Sequence, residues 1–354
     1  MNAMSPGLRV FVAAGLAMLL GGCPGALDPF YEFTTAKPAV RLPLDASPHC
    51  YGGVEWWYYS GLLTTDAGRQ FGVETVIFHV PQFPLVLPTT YWFAHYAVID
   101  VQAGQFRYDQ STTAGLSPSA GTPATGFDLS TALLQMRGGD GEDTITAALS
   151  DGDYALNLVL HDTYGPVLHG GDGYVPYGAD GRSFYYSRPH MDAHGALRIG
   201  ELTMNVAGEL WFDRQWGLDL TDPGQRWNWF SIRMDVGTDI MLMAFPGHDG
   251  LVAFGTIMPP SGPTTALAAD EFRVTPSTRW ISPVTGVEYA VGWGVELPRQ
   301  GIVLNLTAVL NKTEFDARST TRNVYWEGLC TVAGWVDDQP VGGAAYVEQV
   351  NGGP

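Results

Sequence analysis

Two acidic residues stand among aromatic rings, where a carboxyl group could do acid–base work. Glu55 opens the run Glu55-Trp56-Trp57-Tyr58-Tyr59-Ser60-Gly61, and Asp213 sits inside Trp211-Phe212-Asp213-Arg214-Gln215-Trp216-Gly217. An anion among indoles is costly to bury unless it is paired. Each residue therefore has two readings. It either pairs with arginine at a seam between domains, Asp213 with Arg188 or Arg214, or it is a catalytic acid whose pKa burial has raised. Pairing is the default for both. His95 and His169 read first as hydrogen-bonded structural histidines and second as bases. His190 and His194 form the one metal-like pair, but Pro189 before them and Gly195 after predict a hairpin loop, so no metal site is expected.

The chain has no Gly-x-Ser-x-Gly elbow, no Gly-rich phosphate loop ahead of a helix, and no Cys/His set at zinc spacing. Serine-type hydrolysis therefore ranks last, and no cofactor is implied.

Strands must position these groups. Short runs rich in Val, Ile, Tyr, Trp and Phe recur at residues 54–63, 70–80, 91–101, 105–109, 144–149 and 154–161, separated by Gly, Pro, Asp and Asn. No window carries a sustained helical repeat, although residues 130–136 could form a turn or two of helix. The predicted class is all-β, and the length suits two antiparallel barrels better than one sandwich. Side chains alternate along a strand, so Glu55, Trp57 and Tyr59 share one face while Trp56 and Tyr58 share the other. By the same rule Trp211, Asp213 and Gln215 oppose Phe212, Arg214 and Trp216. Aromatic residues on both faces predict strands that are packed on both sides.

At the N-terminus, Arg9 precedes the apolar run 10–20, which is too short to span a bilayer and ends at Gly21-Gly22-Cys23. Residues 1–22 read as a signal peptide and Leu20-Gly21-Gly22-Cys23 as a lipobox. Cys23 would then be lipidated and tether the protein to a membrane, and Pro24 permits the outer membrane of a Gram-negative cell. Cys50 and Cys330 remain, either as a disulfide that export allows or as two separate buried thiols. A net charge of −18, from 18 basic and 36 acidic residues, makes nucleic acid an unsuitable partner. Residues 23–43 read as a tether, 44–217 as a first domain and 218–354 as a second.

Four segments together resemble one family. They are the Glu55 run, Phe184-Tyr185-Tyr186-Ser187-Arg188-Pro189, the Asp213 run, and Tyr325-Trp326-Glu327-Gly328. Their order and spacing are similar to the lipocalin-like family that includes carotenoid 1,2-hydratases, kievitone-type hydratases, AttH proteins and decalin-forming cyclases. The resemblance implies two tandem lipocalin-like barrels that take an apolar small molecule in or between them. Trp57, Tyr59, His95, Tyr185, Trp216, Trp227, Trp229 and Trp326 are the candidates to line that site, with core packing as the alternative. The carotenoid-hydratase branch has His-x-Trp where this chain has Arg214-Gln215-Trp216, and Tyr-x-Asp where Met241-Leu242-Met243 aligns, so that branch's acids are not carried over. A carrier, a hydratase-like enzyme without the usual acid, an isomerase or cyclase, and a non-catalytic interaction lipoprotein all remain open. On the lipobox reading, cells fed a palmitate analogue will label the wild type and not Cys23→Ser; equal labelling of both would overturn it.

Overall fold

The computed structural model describes residues 40–49, 53–82, 89–115, 126–177, 181–218, 226–247 and 250–353. Residues 1–22, read from sequence as a signal peptide, lie outside these residues, as do Cys23 and Cys50. Among the described residues there is no α-helix, and two antiparallel sheets carry the fold.

The first sheet has twelve strands. They are β1 (Val54–Thr65), β2 (Gln70–Gln82), β3 (Thr89–Asp100), β4 (Gln105–Ala114), β5 (Phe127–Ser130) and β6 (Leu134–Gly138). After these come β7 (Glu142–Ala148), β8 (Tyr154–Asp162), β9 (Val167–Leu168), β10 (Tyr174–Tyr177), β11 (Gly181–Ile199) and β12 (Leu202–Leu218). Its order is β4-β3-β2-β1-β12-β11-β8-β7-β6-β5, with β9 and β10 also on β11. The second sheet has ten. These are β13 (Trp227–Met234), β14 (Asp239–Gly247), β15 (Gly250–Met258), β16 (Thr265–Ala268) and β17 (Arg273–Ile281). The rest are β18 (Glu288–Leu297), β19 (Ile302–Ala308), β20 (Glu314–Ala317), β21 (Asn323–Val336) and β22 (Gln339–Val350). The order here is β16-β15-β14-β13-β22-β21-β19-β18-β17, with β20 on β21.

Each sheet curls around its own core, as tandem lipocalin-like barrels do. Trp57, Trp92, Phe127 and Phe212 fill the first; Phe230, Trp293 and Trp326 fill the second. A third cluster lies between the sheets, where β1, β2, β11 and β12 turn their outer faces toward β13, β14, β21 and β22. These strands are packed on both sides, which is why they lack the apolar-in, polar-out alternation of an ordinary barrel wall. Tyr58, Trp211 and Tyr185 point into the seam, while Trp57, Tyr59 and Phe212 point into the first barrel.

Three sequence readings are corrected. Residues 189–195 are not a hairpin loop but the middle of the nineteen-residue β11. Pro189 falls in a register shift between Arg188 and Met191, where a missing N–H breaks no ladder bond. Residues 130–136 are not helical, because Ser130 ends β5 and Leu134 begins β6. Val40 and Leu42, placed in the tether by sequence, pack on the first barrel's core. As for the proposed pair of cysteines, Cys330 is a free thiol buried in the second barrel, its Sγ 3.8 Å from the Gly328 carbonyl oxygen.

Gly72 lies where the two sheets pack closely on each other. A Cβ placed there would lie 3.2 Å from Cβ of Leu329, across the seam, and 3.3 Å from Cβ of Ile99. Gly72→Val should therefore wedge the barrels apart and destabilise the fold by about 1–3 kcal/mol. Chemical denaturation of the purified variant measures this, and an unchanged midpoint would show that the seam tolerates the extra volume.

Candidate functional site

Glu55 is the hub of an ion network inside the first barrel, away from the seam. Arg214 Nη2 lies 2.5 Å from its Oε2, His49 Nδ1 lies 2.8 Å from the same oxygen, and His79 Nδ1 lies 2.6 Å from Oε1. Arg214 is itself fully buried, with its guanidinium 3.9 Å from the centre of the Trp57 ring. Burial opposes ionisation of Glu55, but Arg214, then His49 and His79, outweigh it and hold the carboxyl well below the usual range. Glu55 is thus set up as an ion-paired clamp, its carboxyl held toward the ionised form. The other inward arginine, Arg188, pairs with the buried Asp143, which also accepts from the Tyr59 hydroxyl.

Asp213 consequently has no arginine. It points from the opposite face of β12 into the seam, and all its partners are neutral. The Tyr185 hydroxyl donates to Oδ2 at 2.6 Å, Trp211 Nε1–H donates to Oδ1 at 2.6 Å, and the Ser187 hydroxyl donates to Oδ1. Burial raises the pKa and these three donors pull it back, leaving it at about 7. The pairing inferred from sequence fails because strand alternation sends Arg214 and Arg188 inward and Asp213 outward.

Three more carboxyls share the seam. Glu327 and Glu348 are cross-strand neighbours on β21 and β22, and Glu74 reaches in from β2 of the other sheet. Like charges in register repel unless one is protonated. Burial first, then Glu348 and Glu74, push Glu327 well above the carboxylate range. Burial and Glu348 do the same to Glu74, with Tyr325 offsetting slightly. Glu348, which keeps part of its surface open, is raised to about 7 by burial; Trp227 Nε1–H donates to it at 2.9 Å, and the nearby Asp213 adds a smaller upward push.

Buried histidines fasten this layer. His169 Nε2 lies 2.6 Å from Ser187 Oγ, and its Nδ1 lies 2.8 Å from Thr256 Oγ1 of the second sheet. Ser187 spends its proton on Asp213, so His169 must donate to Ser187 and accept from Thr256. His95 likewise sits 2.8 Å from the Tyr325 hydroxyl and 2.8 Å from Thr320 Oγ1. Burial keeps both imidazoles neutral, with pKa values near 3.

Of the residues chosen from sequence to line a ligand site, His95, Tyr185, Trp227 and Trp229 reach the seam. Trp57, Tyr59, Trp216 and Trp326 are barrel core instead. Sequence reasoning missed Glu74, Glu327 and Glu348 as site residues. The signal available for Glu327 and Glu348 was their place among aromatic residues in Tyr325-Trp326-Glu327 and Tyr346-Val347-Glu348.

Tandem lipocalin-like barrels with an acid cluster between them define the class of this protein. Residues 34–352 match the family described as AttH-like, and the chain belongs to that family. A putative AttH from Nitrosomonas europaea, solved as a crystal structure, is similar at a TM-score of 0.77 and 27% identity over 90% of this chain and 98% of that one. Kievitone hydratase from Nectria haematococca shares the fold at a TM-score of 0.68 and 23% identity, over 90% of this chain and 95% of its own. A dehydratase, AsqC from Emericella nidulans, is 25% identical over 223 residues, which are 60% of this chain and 62% of that protein.

Two substitutions separate the two kinds of carboxyl. Glu55→Gln strands Arg214 without its counter-charge and should cost about 3–5 kcal/mol. Asp213→Asn replaces an acid that the fold prefers neutral, so its stability should match or exceed wild type. The raised pKa of Asp213 gives a stabilising term that is full below the unfolded value, 3.8, and is lost as pH rises to about 7. The advantage of Asp213→Asn over wild type should therefore grow across that window and stay level above it. Melting temperatures of both proteins measured across the range check the sign; a gap widening toward acid would contradict it.

Proposed function

We propose that this chain is an exported, lipid-anchored enzyme that adds or removes water on a large apolar molecule bound at the seam between the barrels. The observation that carries the reading is a pair of neighbouring carboxyls, Asp213 and Glu348, both with pKa values of about 7 in an aromatic layer where, among the described residues, no lysine or arginine pairs with either. Two acids that repel each other's charge favour the singly protonated pair near neutrality, one ready to give a proton and one ready to take it. In dehydration, the carboxylate removes a proton from carbon, the carboxylic acid protonates the departing hydroxyl on the next carbon, a double bond forms and water leaves. Hydration is the reverse. Tyr185, itself receiving a hydrogen bond from Trp229 Nε1–H at 2.9 Å, can steady charge on the reacting oxygen.

Similarity to a dehydratase supports the reaction class. The barrel interiors are occupied by the protein's own Trp57, Trp92, Trp293 and Trp326, which favours the seam over either barrel as the place for substrate. Ring closure by shape and hydrogen bonds would use the same layer, and the aromatic seam suits an isoprenoid or polyketide body in either case.

The test is a turnover assay in isotopically labelled water with hydroxylated isoprenoids and polyketides. Wild type should exchange the hydroxyl oxygen, and Asp213→Asn should lower the rate by about 10²–10⁴ while its melting temperature holds. A melting temperature that falls together with the rate would make Asp213 a structural residue and remove the acid from the mechanism.

A further inference from the structure

An open groove of about 500 Å³ lies where the segment between β8 and β10 of the first barrel faces the turn between β15 and β16 of the second. Pro166, Val167 and Leu168 stand on the first barrel's side, and Pro260, Ser261 and Thr264 on the other. Two bonds cross between the barrels here. The Tyr164 hydroxyl donates to the Pro259 carbonyl at 2.8 Å, and His169 Nδ1 meets Thr256 Oγ1 at 2.8 Å.

The groove is continuous with the seam. Val167 is almost wholly buried in the aromatic cluster between the sheets, and Tyr164 packs against the same cluster. Val167 also lies directly across the ladder from Ser187, the donor to Asp213, so the inner wall of the groove is one strand away from the acid's own partner. Leu168 and Gly171 line the groove on either side of His169, whose buried ring bonds to Ser187. Gly170 and Gly171 turn the chain tightly there, at φ values of 67° and 88° that favour glycine. A Cβ at Gly171 would meet nothing within 4 Å, so the backbone borders open space.

No Asp, Glu, Lys, Arg or His lines this groove, in a chain with 36 acidic and 18 basic residues. Its surface carries hydroxyls between prolines and aliphatic side chains. Such a surface can hydrogen-bond a hydroxyl and cover an isoprenoid or alkyl body, but it offers an ion no counter-charge. Its volume falls within the roughly 300–1,000 Å³ of small-molecule sites.

We propose that this groove is the port through which a neutral, hydroxyl-bearing apolar molecule enters the seam. Ser261 and Thr264 replace water around the hydroxyl, Pro166, Leu168 and Pro260 cover the apolar body, and Val167 marks the threshold of the acid layer. The inference deepens the reading above, on which it rests for the seam as destination, by adding the route and the charge of the substrate.

The experiment is stopped-flow binding of all-trans-retinol, a neutral hydroxylated isoprenoid, to the full chain, followed by energy transfer from the protein's tryptophans. Ser261→Phe/Thr264→Phe narrows the mouth from the second barrel, and since both positions are exposed the melting temperature should hold. Association and dissociation should both slow by at least about tenfold while Kd stays within about threefold, because a port sets the barrier and not the depth of the bound state. Pro166→Phe narrows the mouth from the opposite, exposed wall and should act in the same way, which keeps the test intact if the double variant folds poorly. Retinoate, the same body ending in a carboxylate, should associate with wild type at least about tenfold more slowly than retinol. No retinol binding, wild-type rates in a folded variant, a Kd that weakens along with the rates, or retinoate entering as fast as retinol overturns the proposal. Turnover is not read, so loss of the acid mechanism would leave this result standing, and loss of the port would leave the acid pair untouched.

Discussion

Asp213 and Arg214 are neighbours in sequence and point to opposite sides of one strand, and most of the chemistry described here follows from that. The inward side of β12 carries the arginine that neutralises Glu55; the outward side carries an acid with only neutral donors around it. The same alternation in β11 sends Arg188 to Asp143 and leaves Ser187 and Tyr185 for the seam. Cations are scarce in this chain, and the two buried in the first barrel are both spent on its interior ion pairs. A carboxyl on the far face has no such partner and responds to burial by holding its proton.

Two barrels placed back to back therefore create a layer that neither would possess alone. Each barrel contributes carboxyls, Asp213 and Glu74 from one and Glu327 and Glu348 from the other, and only their juxtaposition removes these groups from water together. The mutual orientation is fixed by directional bonds as well as by packing. Tyr58 reaches Glu327, Trp229 reaches Tyr185, and His169 bridges Ser187 to Thr256. At one end His190 adds an ion pair to Asp239, 2.6 Å away, and hydrogen bonds to Asp239 and Glu209 raise its pKa to about 9. The imidazolium is therefore charged at neutral pH and ties β11 to β14.

The seam also changes the meaning of the aromatic residues. Trp57 and Trp326 stabilise the barrels by filling them, with their indole N–H groups bonded to the Ala46 and Asn311 carbonyls. Trp227 and Trp229 do something different, since their N–H groups meet Glu348 and Tyr185 and so help set the polarity of the acid layer. One residue type serves both purposes, and the face of the strand decides which.

The sequence by itself determined the all-β class, two tandem barrels, the family, and the strand faces on which Glu55 and Asp213 lie. These are properties of local periodicity and of motif order, which a chain carries without being folded. It also showed that Glu55 needed a cation. It did not show which arginine would supply one, and it wrongly offered the same help to Asp213, because pairing depends on what lies across the sheet and not on nearness in sequence. Pro189 and Gly195 read as turn residues until the register shift in β11 accommodated the proline. Glu74, Glu327 and Glu348 lie on strands hundreds of residues apart in part, and nothing local in Glu74's surroundings distinguishes it from a surface acid. Only the packing of one barrel on the other brought these carboxyls into a common buried layer, where the low dielectric and the lack of a counter-ion, rather than any motif, raised their pKa values.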